Sequence, residues 1–159
     1  MCLGMEDMRC LLPRGKGLGG STLINGMTYT RGDQKDYDGY AAAGNTGWSY
    51  KDVLLNFLKS ENNTIPEYQT SPYHGHNGNM IIERIRYESP LVENVFLEGA
   101  KALGCPITDY TEPSQHGFSR AQVMGSKGRR YTSSKAYLGP VRCRKNLHIH
   151  INARVTRVL

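Results

Sequence analysis

Between Pro13 and Gly32 six glycines stand close together, interleaved with Arg14, Lys16, Arg31, Ser21, Thr22 and Asn25. Glycine loses more backbone freedom on folding than any other residue, so such density needs a physical reason. The usual one is close approach of a ligand to bare main chain. Successive N–H dipoles can then face an anion with no Cβ in the way. The chemistry these residue types suit is the cradling of a cofactor diphosphate.

Gly15, Gly17 and Gly20 also satisfy the string G-x-G-x-x-G. The dinucleotide fingerprint requires a buried strand directly before it. Here Met8 to Arg14 is too short and too polar for one, and no acidic residue closes a second strand about twenty positions on. Asp36 and Asp38 lie near that distance, but inside a polar run. No Gly-Lys-Ser/Thr follows at the spacing of a phosphate-binding P-loop. A glycine-rich surface turn without ligand stands as the alternative reading.

The elements that must position this loop are less conspicuous. Residues 33–47 are polar and glycine-broken and read as a continuation of the loop. Ser49, with Asp52 three residues on, opens a helix whose apolar face is Val53, Leu54, Phe57 and Leu58, with Trp48 placed to pack on Val53. Residues 60–79 are rich in Asn, Pro, Ser and Gly and read as a surface excursion, with His74 and His76 solvated. Met80 to Arg86 reads as a strand. Ser89-Pro90 opens a second helix, with Val92, Val95, Phe96, Ala100 and Leu103 at helical spacing and Gly104 and Pro106 ending it. Ala121 to Met124 predicts a strand leading into a turn at 125–128. Thr132 or Ser133 caps a short helix through Leu138, closed by Gly139-Pro140. Leu147 to Ile151 and Val155 to Leu159 read as final strands.

In the order of its residues the loop resembles the first signature of the glucose-methanol-choline (GMC) oxidoreductases. The matching residues are Gly15-Lys16, Leu18 to Thr22, Asn25-Gly26, Tyr29, Gly32 and Asp38. Gly128 to Pro140 is similar to the family's Arg-x-Ser…Ala-Tyr-Leu-x-Pro segment, and the runs Arg144 to Ile149 and Ala153 to Leu159 follow as in the family. Gly44 to Tyr50 resembles the Gly-Trp-Ser/Ala-Tyr element of the animal, glucose dehydrogenase-like branch. The agreement is collinear over nearly the whole chain.

The resemblance implies an α/β (mixed α+β) fold containing part of a GMC-type FAD-binding domain and part of a substrate domain. It implies an FAD flavoprotein that oxidises the CH–OH group of an alcohol or sugar, with hydride passing to flavin N5 and an electron acceptor completing the cycle. Carried over residue by residue, Ser21 is the hydroxyl facing the diphosphate, and Gly19 and Gly20 beside it count among the cofactor-binding residues. Asn25, Gly26, Met27 and Thr28 lie near the diphosphate, ribityl chain and flavin, and the main chain of Val155 meets the adenine. Arg14 departs from some relatives by a one-residue length difference before Leu18. The implied organisation is 1–47 for the FAD loop and lid, 48–118 for the part leading into the substrate domain, and 119–159 for the return to the FAD domain. The family's N-terminal nucleotide fold and catalytic histidine segment have no counterpart here, since His74, His76, His116, His148 and His150 match no catalytic position. The chain therefore reads as an internal fragment, inactive alone, to which no catalytic residue is assigned. A non-catalytic binding remnant of the same family is the alternative.

Composition sets bounds on these readings. The chain has 159 residues and a net charge of +6. Residues 1–112 hold ten Lys/Arg against fourteen Asp/Glu (10 − 14 = −4), while residues 113–159 hold ten Lys/Arg and no acid (+10). A basic end invites a nucleic-acid reading, but the arginines share no helical face and no aromatic platform accompanies them, so no nucleic-acid partner is expected. No C-x-x-C occurs, and His148 and His150 alternate with apolar neighbours, so no metal is expected. Cys2 and Cys10 could pair in an oxidising compartment. Asn62-Asn63-Thr64 is a glycosylation sequon, relevant only in a secreted protein. No apolar run approaches membrane-spanning length. Localisation, substrate, oligomeric state and the choice between oxidase and dehydrogenase stay open.

Overall fold

In a computed structural model, residues 4–85 and 89–158 are described, apart from the side chains of Pro90 and Val92. The apolar run Met80-Ile81-Ile82, with Met80 and Ile82 buried and Ile81 half-buried, begins strand β2 (Met80–Arg84), an inner strand of a mixed four-stranded sheet. It lies parallel to β1 (Glu61–Asn63) and antiparallel to β3 (Gln122–Ser126), with Ile82 opposite Met124. A two-residue turn at Lys127-Gly128 returns the chain into β4 (Arg129–Arg130). Both turn residues have positive φ, at 54° and 73°, as the tightest hairpins require. The Glu83 carboxylate accepts from both turn amides, at 2.9 and 3.0 Å. Met80, Ile82 and Ala136 form the core, with Tyr29, Met124 and Tyr131 packed against them.

Among the described residues there are three α-helices: α1 (Gln34–Ala42), α2 (Tyr50–Ser60) and α3 (Pro90–Ala102). The Ser49 hydroxyl caps α2 by accepting from Asp52 N, as the sequence indicates. Trp48 meets the edge of Tyr40 at 6.2 Å. Helix α1 departs from the expected loop: Asp33 caps it by accepting from Lys35 N at 2.8 Å, and Asp38 accepts from Tyr50 N at 3.0 Å, tying α1 to α2. Helix α3 buries Leu97 and Ala100, whereas Val95, Phe96 and Leu103 of the expected apolar face are exposed. The Val92 side chain lies outside the described residues.

Two further expectations are corrected. Of the expected strands 147–151 and 155–159, the last residue lies outside the described residues; the remainder, 147–151 and 155–158, finds no partner strand among the described residues, and an extended segment without a ladder is not a sheet element. The 60–79 excursion is not solvated throughout. It contains β1, the fully buried Ile65, and His74 at 5% exposure. Within it, the backbone of Asn62 of the sequon is paired with Ile81 and bridged to His76. Cys10 is disulfide-bonded, while Cys2 and the Arg86 end of the expected strand lie outside the described residues. No described helix is long and apolar enough to cross a membrane.

Candidate functional site

The glycine-rich loop folds back on itself before it reaches the sheet. A single 3-10 turn spans Gly20–Leu23 and is entered through Gly19 and Gly20 at φ 106° and 54°. Gly15 packs so tightly on this turn that a Cβ there would fall 2.1 Å from the Gly20 carbonyl oxygen. Its own N–H donates to Ser21 Oγ at 3.3 Å. Ile24 and Asn25 N–H both return to the Ser21 carbonyl, and Met27 N–H donates to Asn25 Oδ1 at 3.1 Å. That last bond holds Met27 at φ 62°, an uncommon conformation for a residue with a side chain and one that concentrates at functional sites. Tyr29 N then donates to Gln122 O, and Thr28 bridges Val123.

The second family-like stretch closes on this loop from more than one hundred residues away. Ser133 N–H donates to Thr22 Oγ1 at 3.1 Å, Ser133 Oγ donates to Gly19 O at 3.2 Å, and the two hydroxyls lie 3.2 Å apart. Arg130 Nη1 donates to Asn25 Oδ1 at 2.6 Å and to Thr22 O at 3.1 Å. Both donors to Asn25 use its Oδ1, so its amide Nδ2 is left to donate elsewhere. Behind Arg130, Thr132 Oγ1 accepts from Lys135 N at the start of the π-helical turn Ser134–Leu138.

The resulting face consists of donors. Ser21 Oγ, the Asn25 amide and the Gly26 N–H form no donor bond among the described residues. An added Cβ at Gly20 or Gly26 would meet nothing within 4 Å, so the main chain is approachable there. Residues 13–32 contain no Asp or Glu to oppose an anion, while Arg130 lies directly beneath. A diphosphate and an adjacent polar chain fit this donor set. A cation does not, and the described residues hold no cluster of three or more His, Cys, Asp or Glu able to take one.

Immediately behind the loop lies a buried ionic network that sequence reasoning missed. Arg31, 4% exposed, pairs through Nη2 with Glu61 Oε2 and donates from Nη1 to Tyr73 O at 2.5 Å and from Nε to Tyr29 Oη at 3.1 Å. His74 sits between Glu61 Oε1, at 2.8 Å from Nδ1, and Asp109 Oδ2, at 2.5 Å from Nε2. The Tyr68 ring stacks on its imidazole at 4.7 Å. Burial by itself would raise the Glu61 carboxyl, but the His74 bond, the Arg31 charge and the Asn63 amide outweigh it and hold the group below its ordinary value. Asp109 is likewise held low, against burial, by His74 and by the Thr111 N–H and hydroxyl. These partners stand 13 and 35 residues from His74 in sequence, so no local pattern could have announced it.

Of the residues singled out in the sequence, Gly19, Gly20, Ser21, Asn25, Gly26, Met27 and Thr28 are brought onto one continuous loop. Val155 is 77% exposed in the extended C-terminal segment, and among the described residues no hydrogen bond ties it to that loop. A cavity of about 810 Å³ opens elsewhere, among Tyr68, Tyr73, Arg84, Leu97, Lys101 and Arg120. A smaller one of about 170 Å³ is lined by Met27 together with Glu83 and Val123.

The profile of the GMC oxidoreductases matches residues 2–159. The chain is similar to glucose dehydrogenase [FAD, quinone] of Drosophila pseudoobscura pseudoobscura, with 42% identity over 99% of this chain and 25% of the relative. It is 38% identical to the oxygen-dependent choline dehydrogenase of Brucella anthropi, over 86% of this chain and 24% of the relative. Among solved structures it resembles pyridoxine 4-oxidase from Mesorbium loti, at TM-score 0.76 and 28% identity, over 85% of this chain and 26% of that one. The chain thus spans about a quarter of the length of these relatives.

Proposed function

The chain belongs to the GMC oxidoreductase family, and from that premise we propose that it supplies the diphosphate- and flavin-facing loop of an FAD-dependent oxidoreductase acting on the CH–OH group of an alcohol or sugar. One observation carries the reading. The two stretches that resemble the family, Gly15 to Asp38 and Gly128 to Pro140, meet through Thr22–Ser133 and Asn25–Arg130 and together present an acid-free face of donors. When bound, FAD would supply the hydride-accepting chemistry at flavin N5, and the protein's part is to bind and orient it.

The roles of this chain's own residues follow from their bonds. Ser21 Oγ takes the Gly15 N–H and keeps its proton for the diphosphate. Asn25, fixed by Met27 N and Arg130 through Oδ1, turns its amide donor outward. Gly19, Gly20 and Gly26 keep the main chain approachable, and Met27 and Thr28 carry it from the diphosphate region to the sheet. Val155 is assigned the adenine contact, with 1–47 and 119–159 on the cofactor side and 48–118 leading toward the substrate domain. The catalytic base lies in no residue of this chain, so residues 1–159 alone are expected to show no alcohol turnover.

Asn25→Asp tests the assignment in the flavin-loaded protein. The substitution preserves the oxygen that Met27 N and Arg130 bind but replaces the outward donor with a second carboxylate oxygen. A like charge set against a diphosphate costs several kcal/mol, so flavin affinity should fall by about 100-fold or more while the fold persists. Unchanged flavin binding would dismiss the role.

A further inference from the structure

We infer that His74 is a positioning residue for the cofactor loop, gripping the 27–31 segment as a doubly donating imidazolium between Glu61 and Asp109; the inference rests on the cofactor reading above. A neutral imidazole has one N–H and one lone pair. With carboxylate oxygens at 2.8 Å from Nδ1 and 2.5 Å from Nε2, either neutral tautomer would set a lone pair against a buried anion. Asn63 Nδ2 lies 2.9 Å from Nδ1, but it donates to the same Glu61 oxygen at 2.9 Å and does not remove that conflict. Charge agrees with the geometry. Arg31 and a protonated His74 balance Glu61 and Asp109, two against two, with the Arg31, Glu61 and His74 side chains fully buried and Asp109 nearly so.

Two separate routes lead from this imidazolium to Tyr29, the residue after Thr28. One runs through Glu61 to Arg31, whose Nε donates to Tyr29 Oη. The other runs through Asp109, whose Oδ1 accepts from Gln122 Nε2 at 2.7 Å, and Gln122 O in turn accepts from Tyr29 N at 2.9 Å. The loop is therefore anchored at both the side chain and the main chain of Tyr29 by one charged centre. The groups facing His74 are Glu61 and Asn63 from β1, Asp109 and Thr111 from the 109–111 turn, and the stacked Tyr68. Arg31 and Gln122 complete the surroundings. Burial alone would lower the imidazole's pKa, but the bonds to Asp109 and Glu61 push it up to about 9. The grip is then complete at neutral pH and released as pH rises through about 9.

The test is flavin release from the loaded protein, followed by the appearance of flavin fluorescence from pH 6 to 10. The wild type should release slowly up to pH 8 and on the order of tenfold faster above pH 9, since losing one charge-assisted buried bond is worth about a factor of ten. His74→Gln should release at the fast rate already at pH 7, with no step near pH 9. A merely structural histidine would raise release without abolishing that step. Release by His74→Gln that matches the wild type, while Asn25→Asp accelerates it, overturns the inference and leaves the cofactor reading intact. Indifference of both variants overturns the cofactor reading and the inference with it. Should His74→Gln fail to fold, the wild type still decides: nitrogen-15 shifts of His74 must show both ring nitrogens protonated at pH 7, and a neutral ring refutes the proposal.

Discussion

Replacing Gly26 with alanine separates a ligand-facing glycine from a structural one. Gly26 is outside the left-handed region, and a Cβ built on it meets nothing within 4 Å. The flavin-free protein should therefore tolerate the methyl group, with stability within about 0.5 kcal/mol of wild type. If the open space beside Gly26 is filled by cofactor, the same methyl group is overpacked once flavin binds. Overpacking costs about 1–3 kcal/mol, which is roughly 5- to 150-fold in affinity. Gly15→Ala should behave in the opposite way. Its Cβ would sit 2.1 Å from Gly20 O, 2.5 Å from Gly20 C and 2.8 Å from Ser21 N, all backbone atoms inside the 3.0 Å that real Cβ contacts respect. The turn must open, the Gly15–Ser21 bond is lost, and stability falls by about 2–4 kcal/mol before any ligand is added. Thermal melts of the flavin-stripped protein, paired with flavin titrations, measure both quantities. Wild-type flavin affinity in Gly26→Ala would refute the reasoning, because it would show that nothing approaches the loop where the structure leaves room.

Other perturbations separate the site from its support. Arg130→Met removes the bonds to Thr22 O and Asn25 Oδ1 and should weaken flavin binding on the order of tenfold, read by fluorescence titration. Ile82→Ala, at a fully buried core position on the central strand, should cost about 2–5 kcal/mol in denaturant melts, with flavin affinity following only through the fold. Stability should also depend on pH in two directions. The His74 contribution is full below its unfolded value of 6.5 and is lost as pH rises through about 9. Those of Glu61 and Asp109 are full above 4.5 and 3.8 and are lost as pH falls through their lowered folded values. A melting temperature that stayed flat between pH 7 and 10 would contradict the first of these.

The sequence made the loop legible because its signal is local: glycines, a hydroxyl and an amide within fourteen residues of one continuous loop. The Ser49 cap, strand β2 and the Lys127-Gly128 turn were readable for the same reason, since each depends on neighbours within a few positions. Helix α1 was hidden by Gly39 and by its weakly amphipathic mixture of Tyr, Asp and Lys, although Asp33 had the side chain of a cap. Strand β1 reads Glu-Asn-Asn, which no strand propensity favours; it is held by side chains that disappear into the ionic network. His74 looked like a loop residue because Glu61, Asp109 and Gln122 reach it only through tertiary folding. The expected strands at 147–151 and 155–159 had the right alternation but no neighbour to pair with among the described residues, and periodicity cannot supply one.

Amide hydrogen exchange, compared between the flavin-loaded and flavin-stripped protein, tests the central claim most directly. Slowed exchange on loading should fall on residues 15–28 and on the Gly128 to Leu138 stretch that braces them. Protection that left both segments unchanged and appeared instead around the 810 Å³ cavity near Tyr68 and Arg120 would place the cofactor elsewhere and contradict the account.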